Sequence, residues 1–346
     1  MVDAIPLTVL GGYLGSGKTT LVNSLLRQAS AHPSGPKIAV LVNDFGDLPI
    51  DADLIEAEDG DLISLAGGCV CCSYGDDLGL AVAQLQAMSP PPDHVLLEAS
   101  GVAIPGAIAA SLSLQAGVRV EAVVVLADAD QIRARHRSEF LSDTVERQFE
   151  HADLVAITKT DLVHRNDIDP LVDWLRSLAP NAGMITVDHQ TLPLDVMLGV
   201  DAGGIVQGRG HEKTIAPEVS GSSGHNLHTE KNPGSHSHSH SHSHDHDHGL
   251  NLYRTVSLLM SEAMDAVALA ARLAAAEGVL RAKGFVRGSD GHLMTIQVVG
   301  KRSEVTAAPA EASPGLVVIG LRTALDDQTL QGLVALNSIE EHSVSA

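Results

Sequence analysis

Aromatic residues are scarce in this chain: one Trp, three Tyr and four Phe among 346 residues, 2% of the whole. A core built from it must rest on Ala, Val, Leu and Ile. The apolar fraction of 44% supplies them, which excludes a wholly disordered chain. Positive charge is also short. Lys and Arg number 22 against 43 Asp and Glu, a formal net charge of −21, and that excludes non-specific nucleic-acid binding, which depends on neutralising phosphates. No stretch is long and uncharged enough to span a bilayer. The N-terminus shows no basic region, apolar core and small-residue cleavage site of the signal-peptide kind. Cysteine occurs three times, all within four positions, so there is no disulfide framework. These absences predict a cytoplasmic protein with neither nucleic acid nor membrane as partner. The length predicts two domains.

What is present begins with a glycine-rich turn, Gly12-Tyr13-Leu14-Gly15-Ser16-Gly17-Lys18-Thr19-Thr20. The apolar run Leu7–Leu10 before it reads as a buried parallel strand. After it, Leu21, Val22, Leu25 and Leu26 recur at helical spacing. A G-x-x-x-x-G-K-[ST] pattern between strand and helix predicts a phosphate loop. Its glycines let backbone N–H groups close on an anion, and the helix N-terminus adds positive potential. Lys18 would reach the β and γ phosphates, and the Thr19 hydroxyl would hold Mg²⁺.

Further strands are expected at 37–43, 94–97, 120–126, 154–157 and 184–187. Strands alternating with helical stretches predict an α/β, doubly wound, mostly parallel sheet. Glu98 ends one strand and is placed to orient water or the Mg²⁺ shell; Asp128 stands at the edge of another. Thr158-Lys159-Thr160-Asp161 approximates the pattern of guanine-nucleotide proteins. The Asp161 carboxylate would accept from guanine N1–H and the exocyclic amine, and the Lys159 stem would cover the base, favouring GTP over ATP. The turn Asp44-Phe45-Gly46-Asp47 either faces the γ phosphate and its metal or carries two solvated aspartates.

Cys69-Val70-Cys71-Cys72 follows Gly67-Gly68. Adjacent Cα atoms lie about 3.8 Å apart, too close for the usual disulfide, so Cys71 and Cys72 are not expected to bridge. A curled backbone, which the glycines permit, would bring three thiolates together as a soft site for Zn²⁺ or Cu⁺, with Co²⁺ also accommodated. Asp47, a His, water or a client protein would complete it. Buried apolar cysteines or a redox pair are the alternatives, but three cysteines in four positions fill a core poorly.

From about residue 203 to 249 the composition turns to Gly, Ser, His and Pro, which predicts a disordered linker. Within it His236, His238, His240, His242, His244, His246 and His248 alternate with Ser and Asp. Such a tract either chelates divalent transition metals without preset geometry or is a polar spacer. Order resumes with strands at 252–260, 279–286, 293–299 and 316–320. A helix over 262–276 would face inward through Met264, Val267, Ala268 and Ala271, and a last helix is expected over 326–336. Arg281 and Lys283 read as solvated strand charges or a binding patch. The expected organisation is therefore a phosphate-loop GTPase domain over 1–205, a His-rich linker over 206–250 and a small α+β domain over 251–346.

The phosphate loop, Cys69-Val70-Cys71-Cys72, Glu98-Ala99-Ser100-Gly101 and Thr158-Lys159-Thr160-Asp161, in that order, resemble the CobW-like metallochaperone GTPases. Those are relatives of the nickel GTPases of urease and hydrogenase maturation. Arg281-Ala282-Lys283-Gly284-Phe285 resembles that family's C-terminal domain. The resemblance implies a slow, Mg²⁺-dependent GTPase that binds a transition metal at the cysteines and hands it to a client metalloprotein. Zinc leads, with cobalt delivery to corrin biosynthesis or nitrile hydratase as the alternative. A zinc buffer without client transfer and an ATP-dependent small-molecule kinase are the rivals from other classes. One departure stands out: family members commonly carry Asn-Glu-Phe-Gly-Glu where this chain has Asn43-Asp44-Phe45-Gly46-Asp47, each carboxylate shorter by a methylene.

Overall fold

A computed structural model describes residues 4–31, 35–42, 62–64, 76–187, 192–199, 252–260, 262–310 and 312–335. Within them, seven strands form one sheet: β1 (Ile5–Gly12), β2 (Ile38–Val42), β3 (Leu62–Ser64), β4 (His94–Glu98), β5 (Val118–Asp128), β6 (Leu154–Thr158) and β7 (Gly183–Thr186). Their spatial order is β3-β2-β4-β1-β5-β6-β7 and every pairing is parallel. β2, β4 and β6 are buried at every residue, as expected for strands covered on both faces. The connections carry α1 (Lys18–Ser30), α2 (Asp76–Ala87), α3 (Pro105–Leu112), α4 (Ile132–His136), α5 (Ser142–Phe149), α6 (Arg165–Leu178) and α7 (Leu194–Leu198).

Alternate residues divide the sheet between two cores. Leu7, Val9, Leu97, Val125 and Ile157 face Leu85, Ile108, Phe149 and Leu175. Leu10, Leu96, Val124, Leu126 and Ala156 face Leu21 and Leu25 of α1, Met197 of α7, and a second sheet. Aliphatic side chains dominate both clusters, as the shortage of aromatics requires.

The second sheet is antiparallel and five-stranded, in the order β11-β10-β9-β12-β8. Its strands are β8 (Tyr253–Leu258), β9 (Val279–Arg287), β10 (Leu293–Val299), β11 (Arg302–Ala307) and β12 (Gly315–Leu321), joined by α8 (Ala266–Ala275) and followed by α9 (Asp327–Ala335). Val317 and Ile319 enter the core shared with the parallel sheet. Leu316 and Val318 face the opposite way, with Leu269, Leu273 and Leu330. The α/β sheet and the smaller α+β unit are therefore those expected, and they share one hydrophobic layer.

Two expectations are corrected. The helix drawn over 262–276 begins at Ala266, because the Asp265 carboxylate caps it by accepting from the Val267 and Ala268 amides at 2.9 and 3.0 Å. Its buried face is Ala266, Leu269, Ala270, Leu273 and Ala274, while Val267 is 66% exposed. Arg281 and Lys283 are not solvated charges. Arg281 is buried and donates to the Val196 and Met197 carbonyls, both at 2.6 Å; Lys283 pairs with buried Glu121 at 3.0 Å. Arg119 also pairs with Glu121 (2.7 Å), and Arg302 grips Asp153 through two bonds of 2.7 and 3.1 Å. Strands β3 and β11 were not foreseen: β3 is three residues at the edge of the parallel sheet, and β11 is an exposed, largely polar edge. The turn before it presses so closely on β6's entry that a Cβ on Gly300 would overlap the Asp153 carbonyl oxygen. Among the described residues no helix is long and apolar enough to cross a membrane. The segments 43–61, 65–75 and 200–251, with the Asp44–Asp47 turn, Cys69, Cys71, Cys72 and the histidine tract, lie outside the described residues.

Candidate functional site

The register of the parallel sheet sets the site. Leu10 of β1 pairs with Glu98 of β4, Gly12 with Leu126 of β5, and Asp128 of β5 with Thr158 of β6. Four strands thus end together and present the glycine turn, a carboxylate on either side, and the loop that begins at Thr158. In open α/β sheets this carboxyl edge is where ligands bind.

The glycine turn closes on itself through the Ser16 amide, which donates to the Tyr13 carbonyl at 3.0 Å. Gly12 has φ +132°, and a Cβ there would come within 2.7 Å of the Leu126 carbonyl oxygen and 2.8 Å of Ser16 Oγ. No other residue type fits. Gly17, also at positive φ, precedes α1 as its N-cap without a capping side chain. The N-terminal end of α1 is thus left uncapped by its own N-cap residue, the arrangement that suits an anion site. Ser16 Oγ is buried and has no hydrogen-bond partner among the described residues. A phosphate oxygen would supply one.

Lys18 is buried, and its ammonium donates to the Gly12 carbonyl at 3.0 Å, so the charge sits inside the turn. The Thr19 hydroxyl donates to Glu98 Oε1 at 2.8 Å, with Glu98 only 3% exposed. Thr20 is exposed on α1's first turn, and Leu14 and Gly15 form the exposed rim of the loop. Gly101 packs so near Leu14 that a Cβ would lie 2.8 Å from the Leu14 nitrogen, bringing the Glu98–Gly101 loop and the glycine turn into contact.

The loop after β6 is tied to the same turn. The Thr158 hydroxyl donates to the Ser16 carbonyl at 2.9 Å, and the Lys159 ammonium meets Asp128 Oδ2 at 2.7 Å. Lys159 has φ +56°, unusual for a non-glycine residue. Asp161 is exposed in the following short helical turn, Thr160–Leu162. Asp128 has a second task that the sequence did not suggest: its Oδ1 accepts from the Asp130 and Gln131 amides at 3.0 and 3.2 Å, starting α4. Arg135 of α4 was also missed. Its guanidinium lies 4.7 Å from the centre of the Tyr13 ring and donates to the Leu14 carbonyl. Nothing local marks it among the neighbouring arginines 133 and 137.

Behind the site, at the start of β4, His94 is buried and shares a 2.9 Å hydrogen bond with Thr8. Burial lowers its pKa to about 3, and Arg281, Lys283 and Arg119 add to this against the pull of Glu121. Burial would raise Glu121, but Lys283 and Arg119 hold its carboxyl below the usual range. Arg281 is lowered to about 10 by burial, opposed by Glu121 and Asp153. The joint between the sheets thus holds a charged network around a neutral imidazole. Among the described residues no group of three His, Cys, Asp or Glu could hold a metal ion.

A glycine turn leading from a central parallel strand into a helix, with carboxylates ending both neighbouring strands, defines a phosphate-loop nucleotide-binding fold. The chain belongs to the CobW/HypB/UreG family, whose nucleotide-binding domain matches residues 6–186; the cobalamin synthesis protein CobW C-terminal domain matches residues 253–335. The zinc chaperone CobW of Sinorhizobium sp is 29% identical over 229 residues, covering 58% of this chain and 63% of that protein. Zinc-regulated GTPase metalloprotein activator 1 of Schizosaccharomyces pombe is 31% identical over 172 residues, covering 47% and 40%. The chain thus spans less than two thirds of the length of these curated relatives. The crystal structure of Zn(II)-bound YjiA GTPase from E. coli aligns with 97% of this chain and 99% of its own at 20% identity and a TM-score of 0.45.

Proposed function

We propose that this chain is a GTP-hydrolysing metallochaperone that takes a transition metal, zinc foremost, at Cys69, Cys71 and Cys72 and delivers it to a client protein. The observation that carries the nucleotide half is the convergence of Lys18, Thr19 and Glu98 around a turn that only glycine can make. Lys18 exchanges the Gly12 carbonyl for the β and γ phosphates, while the amides of the turn and of α1's first turn hold the remaining oxygens. Thr19 and Glu98 present hard oxygen donors 2.8 Å apart, a donor set that fits Mg²⁺. When bound, that ion offsets charge developing on the transferred phosphoryl group. Glu98 orients the attacking water. Asp161 accepts from the guanine edge, and the Thr158–Ser16 and Lys159–Asp128 bonds hold that loop in register with the phosphate loop.

The metal half is supported by family membership, by the names of the two relatives, a zinc chaperone and a zinc-regulated activator, and by the affinity of clustered thiolates for zinc. The Asp44–Asp47 turn lies between phosphate loop and cysteines in the chain, so a γ phosphate that orders it would bear on the metal site. The test compares wild type, Lys18→Ala and the triple Cys69→Ser, Cys71→Ser, Cys72→Ser variant, purified without a tag. Phosphate release from GTP is expected to vanish in Lys18→Ala, and bound zinc to fall in the triple variant while GTP turnover persists. Preference for ATP over GTP would overturn the guanine reading. Zinc held equally by wild type and Lys18→Ala, with no client activated by either, would reduce the chain to a metal buffer.

A further inference from the structure

Helix α4 touches both ends of the nucleotide site. Its start is held by Asp128, whose other oxygen takes Lys159 of the base loop. Arg133 lies 5.7 Å from the centre of the Trp174 ring and donates to the Pro170 carbonyl, both on α6, the helix that follows Asp161. His136 packs edge-on against the same indole at 5.1 Å and bonds Glu146 of α5 at 2.9 Å. So fixed, α4 aims Arg135 at the rim of the phosphate loop, over the Tyr13 ring and onto the Leu14 carbonyl. At that rim Leu14 is 54% exposed and touches Gly101, and among the described residues the nearest atom beyond its chain neighbours to a Cβ built on Gly15 is an Arg135 nitrogen at 3.9 Å. In a planar trans peptide the carbonyl and the next amide point opposite ways. Holding the Leu14 oxygen outward therefore turns the Gly15 N–H inward, toward the phosphates.

We propose that Arg135 is a positioning residue for the nucleotide phosphates: by clamping Leu14 and Tyr13 from outside it presets the loop's amides before the nucleotide arrives. This rests on the nucleotide reading above. Because the amides meet phosphates that GTP and GDP share, losing the clamp weakens both ligands equally and leaves turnover of bound GTP alone.

The test titrates fluorescent GDP and GTP into the full chain as wild type, Arg135→Ala, Arg135→Lys and Lys18→Ala, with kcat for GTP and melting of the nucleotide-free protein measured alongside. Arg135→Ala is expected to bind both nucleotides about tenfold more weakly, the loss of one charged hydrogen bond and one cation–π contact. Its kcat and nucleotide-free melting are expected to match wild type, and Arg135→Lys, which keeps a cation able to donate to Leu14, to recover most of the affinity. Wild-type affinity in Arg135→Ala while Lys18→Ala loses binding overturns the proposal alone. So does a fall in kcat with GDP affinity unchanged, which marks direct contact with the γ phosphate, or a drop in nucleotide-free melting that accounts for the weaker binding. If wild type binds neither nucleotide, or Lys18→Ala binds like wild type, the nucleotide reading itself fails and this proposal falls with it.

Discussion

Replacing Arg281 by methionine removes the guanidinium that joins the two sheets while keeping an unbranched apolar stem. Two hydrogen bonds of 2.6 Å to the Val196 and Met197 carbonyls disappear, at the last turn of α7. Charge-assisted bonds contribute about 1.5–3 kcal/mol each, and carbonyls left buried without donors cost a similar amount. Opposing this, a buried guanidinium already carries a desolvation cost, seen in its lowered pKa, which methionine relieves. Glu121 retains Lys283 and Arg119, so no carboxylate is stranded. The net expectation is a loss of about 3 kcal/mol, near the lower edge of what breaking a buried ionic contact costs. Urea unfolding followed by Trp174 fluorescence, which reports the parallel-sheet half, and by far-UV circular dichroism, which reports both, measures it. In wild type the two probes should coincide, because Tyr253, Leu280, Val299, Val317 and Ile319 share a core with Leu126 and Leu154. In Arg281→Met the midpoint should fall and the probes should separate. An unfolding free energy within about 0.5 kcal/mol of wild type, the range of ordinary surface substitutions, would refute the view that this arginine ties the sheets together.

Buried, neutral His94 binds no proton until about pH 3, whereas the unfolded chain binds one below about pH 6.5. Acid therefore favours unfolding in that window: stability should fall as pH drops from 6.5 toward 3, by up to about 1.4 kcal/mol per unit from this group, and a His94→Gln variant should show a shallower acid limb in pH-dependent denaturation. Asp161→Ala should cost about 100-fold in GDP affinity, two bonds to a charged acceptor, and bring GTP and ATP affinities together in competition binding; retained guanine preference would place recognition elsewhere. Glu98→Ala should slow GTP hydrolysis at least 100-fold in a phosphate-release assay while GDP still binds; unaltered turnover would remove Glu98 from the chemistry.

The nucleotide half of the site was legible because its information is local. Gly12 to Thr20 encode a backbone that few residues permit, and the strands ending at Glu98 and Thr158 are uninterrupted apolar runs. What escaped depends on contacts between distant segments. Arg281 looks like any charge on an alternating strand until Val196 and Met197 are seen to need a donor. Arg135 stands among similar arginines, and only the placement of α4 selects it. The inward face of α8 was misjudged because Ala and Val stand on more than one side of it, and the buried stripe is the one that carries Leu269 and Leu273. Strand β11 offers only Val305 to the core and reads as polar. It exists because Val299–Arg302 turns back against β10.

On the proposed function, guanine nucleotide on the phosphate loop governs how firmly Cys69, Cys71 and Cys72 hold an ion. Zinc affinity of the full chain, measured with a competing chelator in the presence of a non-hydrolysable GTP analogue and then of GDP, tests it most directly. A difference of at least about fivefold, the lower range of coupling between linked sites, that disappears when the three cysteines are changed to serine is the predicted result; equal affinity in the two nucleotide states would contradict the account.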